Sequence, residues 1–330
     1  MADVTDAFLH DQLLARRKKI ESTISVLSQS EAASLTQLLG EVDSALERME
    51  AGNFGICEIC HDPIEKDRLI ADPLIRYCLD HLTQDQRRAL EQDLELAAGI
   101  QRELLPKQDF RYDGWEASFH YQPLGPVSGD YCDIAIPENE AGNLFFLLGD
   151  AAGKGIAASL LMTHLHAIFR TLISSGLPLP QMVKRAGRVF RETTMSNLFA
   201  TLVCGKATRS GEVEICNAGH CPALVIRHGS LGRIESTGVP LGLFSEVEYS
   251  VEKVRLEPGE TLFLYTDGVS EARSKGQEEY GEVRLVEVLS RCHSLTPQGL
   301  IRACLEDLAA FRSGVPLTDD LTMLAIRRQT

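Results

Sequence analysis

The chain has no uninterrupted run of about 18 or more apolar residues, and this absence predicts that no helix of the chain spans a membrane. Its first residues carry both signs of charge and lack the apolar core and cleavage site of a secretion signal. Basic residues are scarce: 33 Lys and Arg stand against 47 Asp and Glu, a net charge of −14. We therefore expect a cytoplasmic protein that binds neither a membrane nor, directly, nucleic acid, which needs a basic face.

Internal repeats and low-complexity segments are also absent, so the 330 residues are expected to form ordinary folded domains. Apolar residues make up 44% of the chain and charged residues 24%, which is a globular balance. At about 150 residues per domain, this length predicts about two domains.

Helical patterns occupy the N-terminal third of the chain. Apolar residues in 5–50 recur mostly at spacings of three, four or seven, which predicts either a helical hairpin or one long helix. Residues 84–105 predict a further helix that ends at Pro106.

From about residue 112 onward, short apolar runs alternate with Gly, Pro, Asn and Asp. The predicted strands are Phe145–Leu148, Phe199–Ala207, Glu212–Cys216, Ala223–Arg227, Thr261–Thr266 and Thr322–Arg327, and the predicted helices are 155–175, 180–196, 282–291 and 297–311. Strands in clusters and helices in pairs indicate an α+β fold with a mainly antiparallel sheet.

Three of the nine cysteines are regularly spaced. Cys57 and Cys60 enclose two residues, and 17 residues later Cys78 and His81 repeat that spacing. Two such pairs, each on its own turn, can present four donors tetrahedrally to one Zn²⁺, whereas the alternative is buried free cysteines. His61 is a less natural ligand because it adjoins Cys60. A closed set of four ligands leaves no open position, so we predict a structural zinc ion.

This segment resembles the DksA/TraR-type zinc finger. The matching positions are Gly52, Phe54-Gly55-Ile56-Cys57, Cys60, Ile64, Arg68-Leu69, Ala71, Pro73, Cys78 and His81. His81 departs from the family, which often has Cys there. Members of that family reach into RNA polymerase with acidic residues on a helical tip. Asp3 and Asp6 resemble such a tip faintly, and an ordinary acidic helix start is the preferred interpretation.

Acidic residues of the C-terminal region lie in turns, most of them flanked by Gly. They are in Ser128-Gly129-Asp130-Tyr131-Cys132-Asp133, Gly149-Asp150-Ala151, Thr266-Asp267-Gly268 and Thr318-Asp319-Asp320-Leu321-Thr322. Three of these four turns adjoin predicted strands, whose ends can converge at one edge of a sheet. Oxygen ligands suit Mg²⁺ or Mn²⁺, and two such ions can activate a water for hydrolysis of a phosphate ester. A single turn would be explained by an Asx turn, but four together favour a metal site.

Residues from about 97 to 328 resemble the metal-dependent protein phosphatase (type 2C) family, in its bacterial RsbU/SpoIIE-like branch. The matching motifs are Ala97 with Ile100-Gln101 and Leu104-Leu105-Pro106, Pro126-Val127-Ser128-Gly129-Asp130 with Asp133, Gly149-Asp150-Ala151-Ala152-Gly153-Lys154-Gly155, Asn217-Ala218-Gly219-His220 with Pro222, Pro240-Leu241-Gly242, Thr266-Asp267-Gly268-Val269 with Glu271-Ala272, and Asp319-Asp320-Leu321-Thr322. The resemblance implies an α-β-β-α sandwich with a dinuclear Mn²⁺ or Mg²⁺ site at one edge.

The same resemblance implies roles for single residues. The implied catalytic and metal-binding residues are Asp130, Asp150, Asp267 and Asp319, with the backbone carbonyl of Ala151 holding one ion through water. Asp150 would bridge the two ions, and water activated by them would attack phosphorus in line, so no nucleophilic Ser or Cys is needed. Residues three apart in an extended segment face opposite ways, so Asp133 is not expected beside Asp130. Asp320 is an alternative to Asp319.

Two other motifs give weaker indications of function. The run from Gly149 to Gly155 is one residue short of a P-loop and has no Ser or Thr after Lys154, so a packing turn is preferred over Lys154 near phosphate. For His220, a structural turn histidine is preferred over a general acid. No phosphate-clamping Arg occurs near Asp130, as is general in the RsbU/SpoIIE-like branch.

The helix in 84–105 carries a coiled-coil-like stripe with spacings of 4, 3, 4 and 3: Leu90, Leu94, Ala97, Gln101 and Leu104. The stripe indicates either a homodimer-forming linker that transmits a signal or a helix packed on its own domain. We predict a zinc-finger module over 1–82, a linker helix over 83–106 and a phosphatase domain over 107–330.

The predicted function is a serine/threonine protein phosphatase regulated through its N-terminal module. The resemblance implies a phosphoprotein substrate, a STAS-domain anti-sigma-factor antagonist in a partner-switching pathway. One alternative is a transcription regulator whose zinc finger binds RNA polymerase and whose phosphatase fold is a scaffold. Another is a phosphohydrolase acting on small molecules.

Overall fold

The computed structural model describes residues 4–25, 33–82, 84–137, 142–195, 197–228 and 230–329. The chain divides into two compact units, Met1–Gln92 and Asp93–Thr330, and the division falls inside the predicted linker helix. The predicted domain boundaries at 82 and 106 remain predictions. Asp3, one of the two residues that faintly resemble an acidic tip, lies outside the described residues.

The first unit begins with two helices, α1 (Val4–Ile24) and α2 (Ala33–Glu50). They pack against each other through apolar side chains and an Arg17–Asp43 ion pair of 2.7 Å. Of the two alternatives predicted for 5–50, the structure therefore has the helical hairpin. Gly52 follows α2 with a positive φ of 72°, a conformation that suits glycine after a helix. A short helix, α3 (Lys66–Ala71), and a 3₁₀ turn, Leu79–His81, complete the cysteine-containing segment.

The helix α4 (Gln84–Leu104) includes the unit boundary and ends before Pro106, as predicted. In the described residues beyond it, the strands are β1 (Phe110–Tyr112), β2 (Trp115–Gln122), β3 (Asp130–Ala135), β4 (Asn143–Ala151), β5 (Ala200–Thr208), β6 (Glu212–Ala218), β7 (Ala223–Arg227), β8 (Ser230–Ile234), β9 (Glu252–Arg255), β10 (Thr261–Tyr265) and β11 (Leu321–Arg328). The helices are α5 (Gly155–Ile173), α6 (Leu179–Thr193), α7 (Asp267–Ser270), α8 (Gly281–Arg291) and α9 (Pro297–Arg312).

These strands form two antiparallel sheets, ordered β1-β2-β11-β10-β7-β8 and β3-β4-β5-β6-β9. One apolar core lies between the sheets, a second joins α5 and α6 to the β3–β6 sheet, and a third joins α8 and α9 to the other sheet. The predicted α+β class and α-β-β-α sandwich are therefore confirmed.

Strands in the middle of this sandwich are buried on both faces. In β3 and β4, Tyr131 and Phe145 contact the α5–α6 layer, whereas Cys132 and Phe146 contact the opposite sheet. A strand buried on both faces can have a continuous apolar run rather than alternation, as β4 does, which explains why β4 was predicted whereas β3, with its two aspartates, was not.

The helix α5 is long and apolar enough, by length and composition alone, to cross a membrane. Half of its most apolar stretch is buried inside the protein, and helices in protein cores can be equally long and apolar. Its buried apolar residues pack on α6, β3 and β4.

The prediction of turns was wrong for three aspartates: Asp150 lies on β4, and Asp130 and Asp133 lie on β3. Both carboxylates of β3 are buried, and each is stabilised by partners distant in sequence, which local sequence does not reveal. Asp133 faces α5, where Arg170 donates two hydrogen bonds to it at 2.7 and 2.6 Å. It therefore ties β3 to α5 and points away from Asp130, as strand geometry predicts.

Candidate functional site

The four predicted zinc ligands come together in the first unit. The ligand atoms of Cys57, Cys60, Cys78 and His81 all lie within 4.8 Å of one another. Cys60 Sγ and Cys78 Sγ are 3.7 Å apart, and His81 Nδ1 lies 3.8 Å from Cys57 Sγ and 3.2 Å from Cys78 Sγ. Zn–S bonds of about 2.3 Å place two sulfur ligands of a tetrahedral ion about 3.8 Å apart, so the donor set fits Zn²⁺.

Two tight turns position these donors. His61 has a positive φ of 62° and its N–H donates to the Cys57 carbonyl at 2.9 Å, so its backbone closes the first turn while its ring stays outside the cluster. Burial raises the pKa of the Cys57 thiol, but backbone N–H groups of Cys60, Cys78 and Ile59 outweigh it and hold that pKa at about 6. A thiol that loses its proton this readily is suited to binding a metal.

At one edge of the sandwich, Asp130 and Asp150 are direct partners across the β3–β4 pair, so their side chains share one face. Asp130 is almost completely buried, and its Oδ2 accepts hydrogen bonds from the hydroxyls of Thr266 and Thr322. These threonines follow β10 and lie on β11, both in the opposite sheet. The Asp130 carboxylate thus links the two sheets where the candidate site lies.

Asp267 begins α7, directly after Thr266. The next residue is glycine for a steric reason: a Cβ on Gly268 would lie 1.9 Å from the carbonyl oxygen of Asp320. The missing side chain lets the start of α7 approach the segment that precedes β11. Asp267 and Asp319 are consequently close enough for the charge of Asp319 to influence the pKa of Asp267.

The neighbouring carboxylates Asp319 and Asp320 have different surroundings. Asp320 is buried and accepts backbone N–H groups of Leu124 at 2.6 Å and Gly129 at 2.8 Å, so both of its oxygens hold the loop before Asp130. Asp319 is more exposed and its Oδ2 lies 2.7 Å from Nζ of Lys154. The charge of Asp319 raises the pKa of both Asp150 and Asp267, so Asp319 lies near these two carboxylates.

Ala151 ends β4, next to Asp150, and its N–H donates to the Gly129 carbonyl at 3.1 Å. A Cβ on Gly129 would lie 3.1 Å from the Ala151 carbonyl oxygen and 3.5 Å from Asp150 Oδ1. The predicted carbonyl ligand thus lies near the Asp150 carboxylate, with Gly129 making room for both.

The electrostatics of this edge are unfavourable without a cation. Burial raises the pKa of Asp150 to about 7, and repulsion from Asp267 and Asp319 adds to the shift. Burial and, as the next largest cause, the charge of Asp150 raise the pKa of Asp130 well above its usual range. Burial and the charges of Glu271 and Asp319 raise the pKa of Asp267. Divalent cations would remove this repulsion, and the all-oxygen donor set suits Mn²⁺ or Mg²⁺.

These aspartates are more widely spread than the zinc ligands. Within the described residues, the Cys57 cluster is the one group with three or more ligand atoms all within 4.8 Å. Two ions about 3.5–4 Å apart need ligands on opposite sides, so a wider constellation fits a dinuclear centre.

His220 has a structural environment. Its backbone N–H donates to Asn217 Oδ1 at 2.8 Å, and its ring atom Nδ1 lies 2.7 Å from the hydroxyl of Thr201. Burial lowers the pKa of His220 to about 4, against a smaller opposing effect of the Tyr265 backbone, so the ring is neutral near pH 7. These contacts favour the structural interpretation over a general acid.

Sequence reasoning missed the supporting role of Thr266 and Thr322, and it preferred a packing turn over a role for Lys154 near phosphate. The two threonines adjoin metal motifs in Thr266-Asp267 and Asp320-Leu321-Thr322, and that adjacency was the available signal.

Comparisons with known proteins agree with this geometry. Residues 140–329 match the family described as Stage II sporulation protein E (SpoIIE). The chain belongs to this family. Residues 52–80 match the prokaryotic dksA/traR C4-type zinc finger, and the fourth candidate ligand here, His81, lies one residue beyond that match. Both family resemblances, to the SpoIIE-like phosphatases and to the DksA/TraR zinc finger, are confirmed.

Three individual proteins illustrate the similarity. Phosphoserine phosphatase RsbU of Bacillus subtilis (strain 168) is 24% identical, over 79% of this chain and 78% of RsbU. Protein IcfG of Synechocystis sp. is 26% identical over 72% of this chain, which spans only 41% of IcfG. The solved SiaA-PP2C domain of Pseudomonas aeruginosa shares the fold, with a TM-score of 0.64 and 18% identity, over 73% of this chain and 97% of that domain.

Replacing His81 should release zinc, because three thiolates leave one coordination position to water. We expect His81→Ala to retain less than about half of one zinc ion per chain after dialysis against a competing chelator. His61→Ala is the matched control and should retain the ion. Elemental analysis measures both, and equal zinc loss in the two variants would contradict the assigned cluster.

Mn²⁺ affinity should depend on pH, because Asp150 with a pKa of about 7 must lose its proton to bind a cation. Below about pH 7 the apparent dissociation constant should rise about tenfold for each unit of acidification, and above it the constant should level off. Calorimetric titration of the full chain between about pH 5.5 and 8 measures this dependence. A constant affinity over that range would show that no such carboxyl takes part.

Proposed function

We propose that this chain is a metal-dependent protein phosphatase that hydrolyses phosphoserine and phosphothreonine in a protein substrate. The observation that carries the proposal is the carboxylate cluster at the sandwich edge. Four segments distant in sequence contribute to it, and its charges need divalent cations for balance. Membership of the SpoIIE family, and the names of the relatives RsbU and RsbP as phosphoserine phosphatases, support the reaction.

The proposed metal site uses five groups of this chain: the carboxylates of Asp130, Asp150, Asp267 and Asp319 and the backbone carbonyl of Ala151. Two Mn²⁺ or Mg²⁺ ions bound there would supply Lewis-acid activation of water and stabilise charge on the phosphoryl group. Thr266 and Thr322 orient Asp130 through its Oδ2. Asp320 has a positioning role, because its contacts with Leu124 and Gly129 hold the loop that leads to Asp130.

We further infer that the substrate is a STAS-domain anti-sigma-factor antagonist in a partner-switching pathway. The relative RsbU supports this pathway, and a solved protein that joins RsbU and RsbW domains, from Mycobacterium tuberculosis, is 26% identical with a TM-score of 0.57. Hydrolysis of a phosphoserine on such a domain is the specific reaction to test.

Regulation through the linker helix is supported by one buried contact within the second unit. Gln101 of α4 is 5% exposed, its side-chain amide donates to the Ser128 carbonyl at 2.7 Å, and its carbonyl accepts the Ser128 N–H at 2.9 Å. Ser128 in turn accepts the Asp130 N–H on its hydroxyl at 3.0 Å. A shift of α4 would thus be felt at the backbone of Asp130.

Gln101, which belongs to the predicted stripe on α4, therefore contacts its own domain. Two apolar side chains on this helix, Leu96 and Ile100, are 65% and 55% exposed, and they are four residues apart on one face. We propose that this exposed pair contributes to a homodimer, through which the zinc-finger module controls activity.

Removing either of two central carboxylates should abolish hydrolysis. With a phosphorylated STAS-domain protein and Mn²⁺, Asp150→Ala and Asp267→Ala should each lower kcat by about 10²-fold or more, because the metal loses a ligand. Glu306→Ala, an exposed acid on α9, is the control and should retain full activity. Activity that survives both aspartate changes would rule the mechanism out, and activity only on small phosphate esters would rule the substrate out.

Gln101→Leu should weaken the coupling between α4 and the site, because it removes two hydrogen bonds to the Ser128 backbone. We expect about a tenfold increase in the Mn²⁺ concentration that gives half-maximal activity. Gln92→Leu, at an exposed position of the same helix, should leave it unchanged. Equal responses of the two variants would exclude a specific role for Gln101.

A further inference from the structure

Lys154 lies at the corner between β4 and α5, three residues after Ala151. Its Nζ is 2.7 Å from Asp319 Oδ2 and donates to the Thr318 carbonyl at 2.8 Å. The side chain is 58% exposed and makes polar contacts, which favours a role for Lys154 in addition to the packing turn that the sequence interpretation preferred. An exposed ammonium group therefore lies beside Asp319, one of the proposed metal ligands.

The contact with Asp319 uses an oxygen that metal binding would need. Asp319 Oδ1 accepts the Asp320 N–H at 3.0 Å, and Oδ2 is paired with Lys154. A divalent ion bound to Asp319 would repel the ammonium group. Exposed ion pairs are weak, so the entering ion can displace Lys154 at little cost.

The surroundings of the displaced ammonium favour an anion. Helix α5 begins at Gly155, its N-cap is Lys154 itself, and no side chain caps its first turn, which also contains no acidic residue. The positive end of a 19-residue helix thus adjoins the Lys154 side chain. Lysine also has a long flexible stem that can move its charge between two partners.

We propose that Lys154 is the phosphate-binding residue of this site: it pairs with Asp319 before metal binds, and binds the phosphate dianion of the substrate after a divalent ion has taken Asp319. This inference rests on the proposed function, because it assigns the phosphate contact of the same site. It also explains how a site without a clamping arginine near Asp130 can hold a phosphate group.

A purely structural Lys154 would behave differently. If its role were to hold Thr318 and Asp319 in place, its removal would loosen a metal ligand and weaken Mn²⁺ binding. If Lys154 competes with the ion, its removal should leave Mn²⁺ binding equal or tighter while phosphate binding weakens. The two affinities therefore move in opposite directions only under the proposal.

The experiment compares the full-length chain with Lys154→Met, Lys154→Arg and Lys184→Met. Lys184, on α6, forms an exposed ion pair with Glu248 and is the matched control. Calorimetry measures Mn²⁺ affinity without phosphate, then the affinity of the Mn²⁺-loaded protein for inorganic phosphate. Steady-state hydrolysis of the phosphoprotein gives KM and kcat separately.

We expect Lys154→Met to bind Mn²⁺ up to about fivefold more tightly, and inorganic phosphate about 10- to 100-fold more weakly. KM for the phosphoprotein should rise as phosphate affinity falls. Lys154→Arg should recover most of the lost phosphate affinity, and Lys184→Met should match the unmodified chain. Phosphate affinity of Lys154→Met within about twofold of the unmodified chain, or a loss of Mn²⁺ affinity, would overturn the inference.

Absence of phosphate binding by the unmodified Mn²⁺-loaded chain would also overturn it. Absence of hydrolysis with Lys154-dependent phosphate binding intact would instead support the inference and count against the proposed function alone.

Discussion

The structure of the second unit depends on how it accommodates several carboxylates at one buried edge. Like charges taken out of water repel one another strongly, and each must be hydrogen-bonded, paired or neutralised by a cation. Asp130 receives two threonine hydroxyls from the opposite sheet, Asp320 receives two backbone N–H groups, and Asp133 receives an arginine. Even so, the pKa values of Asp130, Asp150 and Asp267 are all raised, which marks this edge as a place that needs a cation.

The sandwich is suited to this arrangement because its two sheets bring four distant segments to one edge. The β3–β4 pair brings Asp130 and Asp150 side by side, and the ends of β10 and β11 bring Thr266 and Thr322 onto the same carboxylate. Gly268 permits the close approach of α7 to the segment before β11. A buried hydrogen bond network therefore connects the packing of the sheets with the geometry of the site.

Several parts of this protein were predictable from local sequence. The spacing of Cys57, Cys60, Cys78 and His81 identified a cluster that the structure brings within 4.8 Å, and apolar runs identified the doubly buried strands such as Thr261–Tyr265. The strands β1, β2, β3, β8 and β9 were missed. In β3 the reason is physical: its acidic residues suggest a turn, and only partners from α5 and the other sheet stabilise them in a strand.

The sequence by itself determined the types of donor, their spacing within each motif and the family to which the chain belongs. Tertiary structure decided which carboxylate faces which neighbour: Asp130 faces the opposite sheet while Asp133 faces α5, and Asp319 meets Lys154 while Asp320 holds the 124–129 loop. Adjacent side chains differ in direction because strand register and loop conformation orient them. Both are fixed by packing between segments far apart in the chain, which no local motif contains.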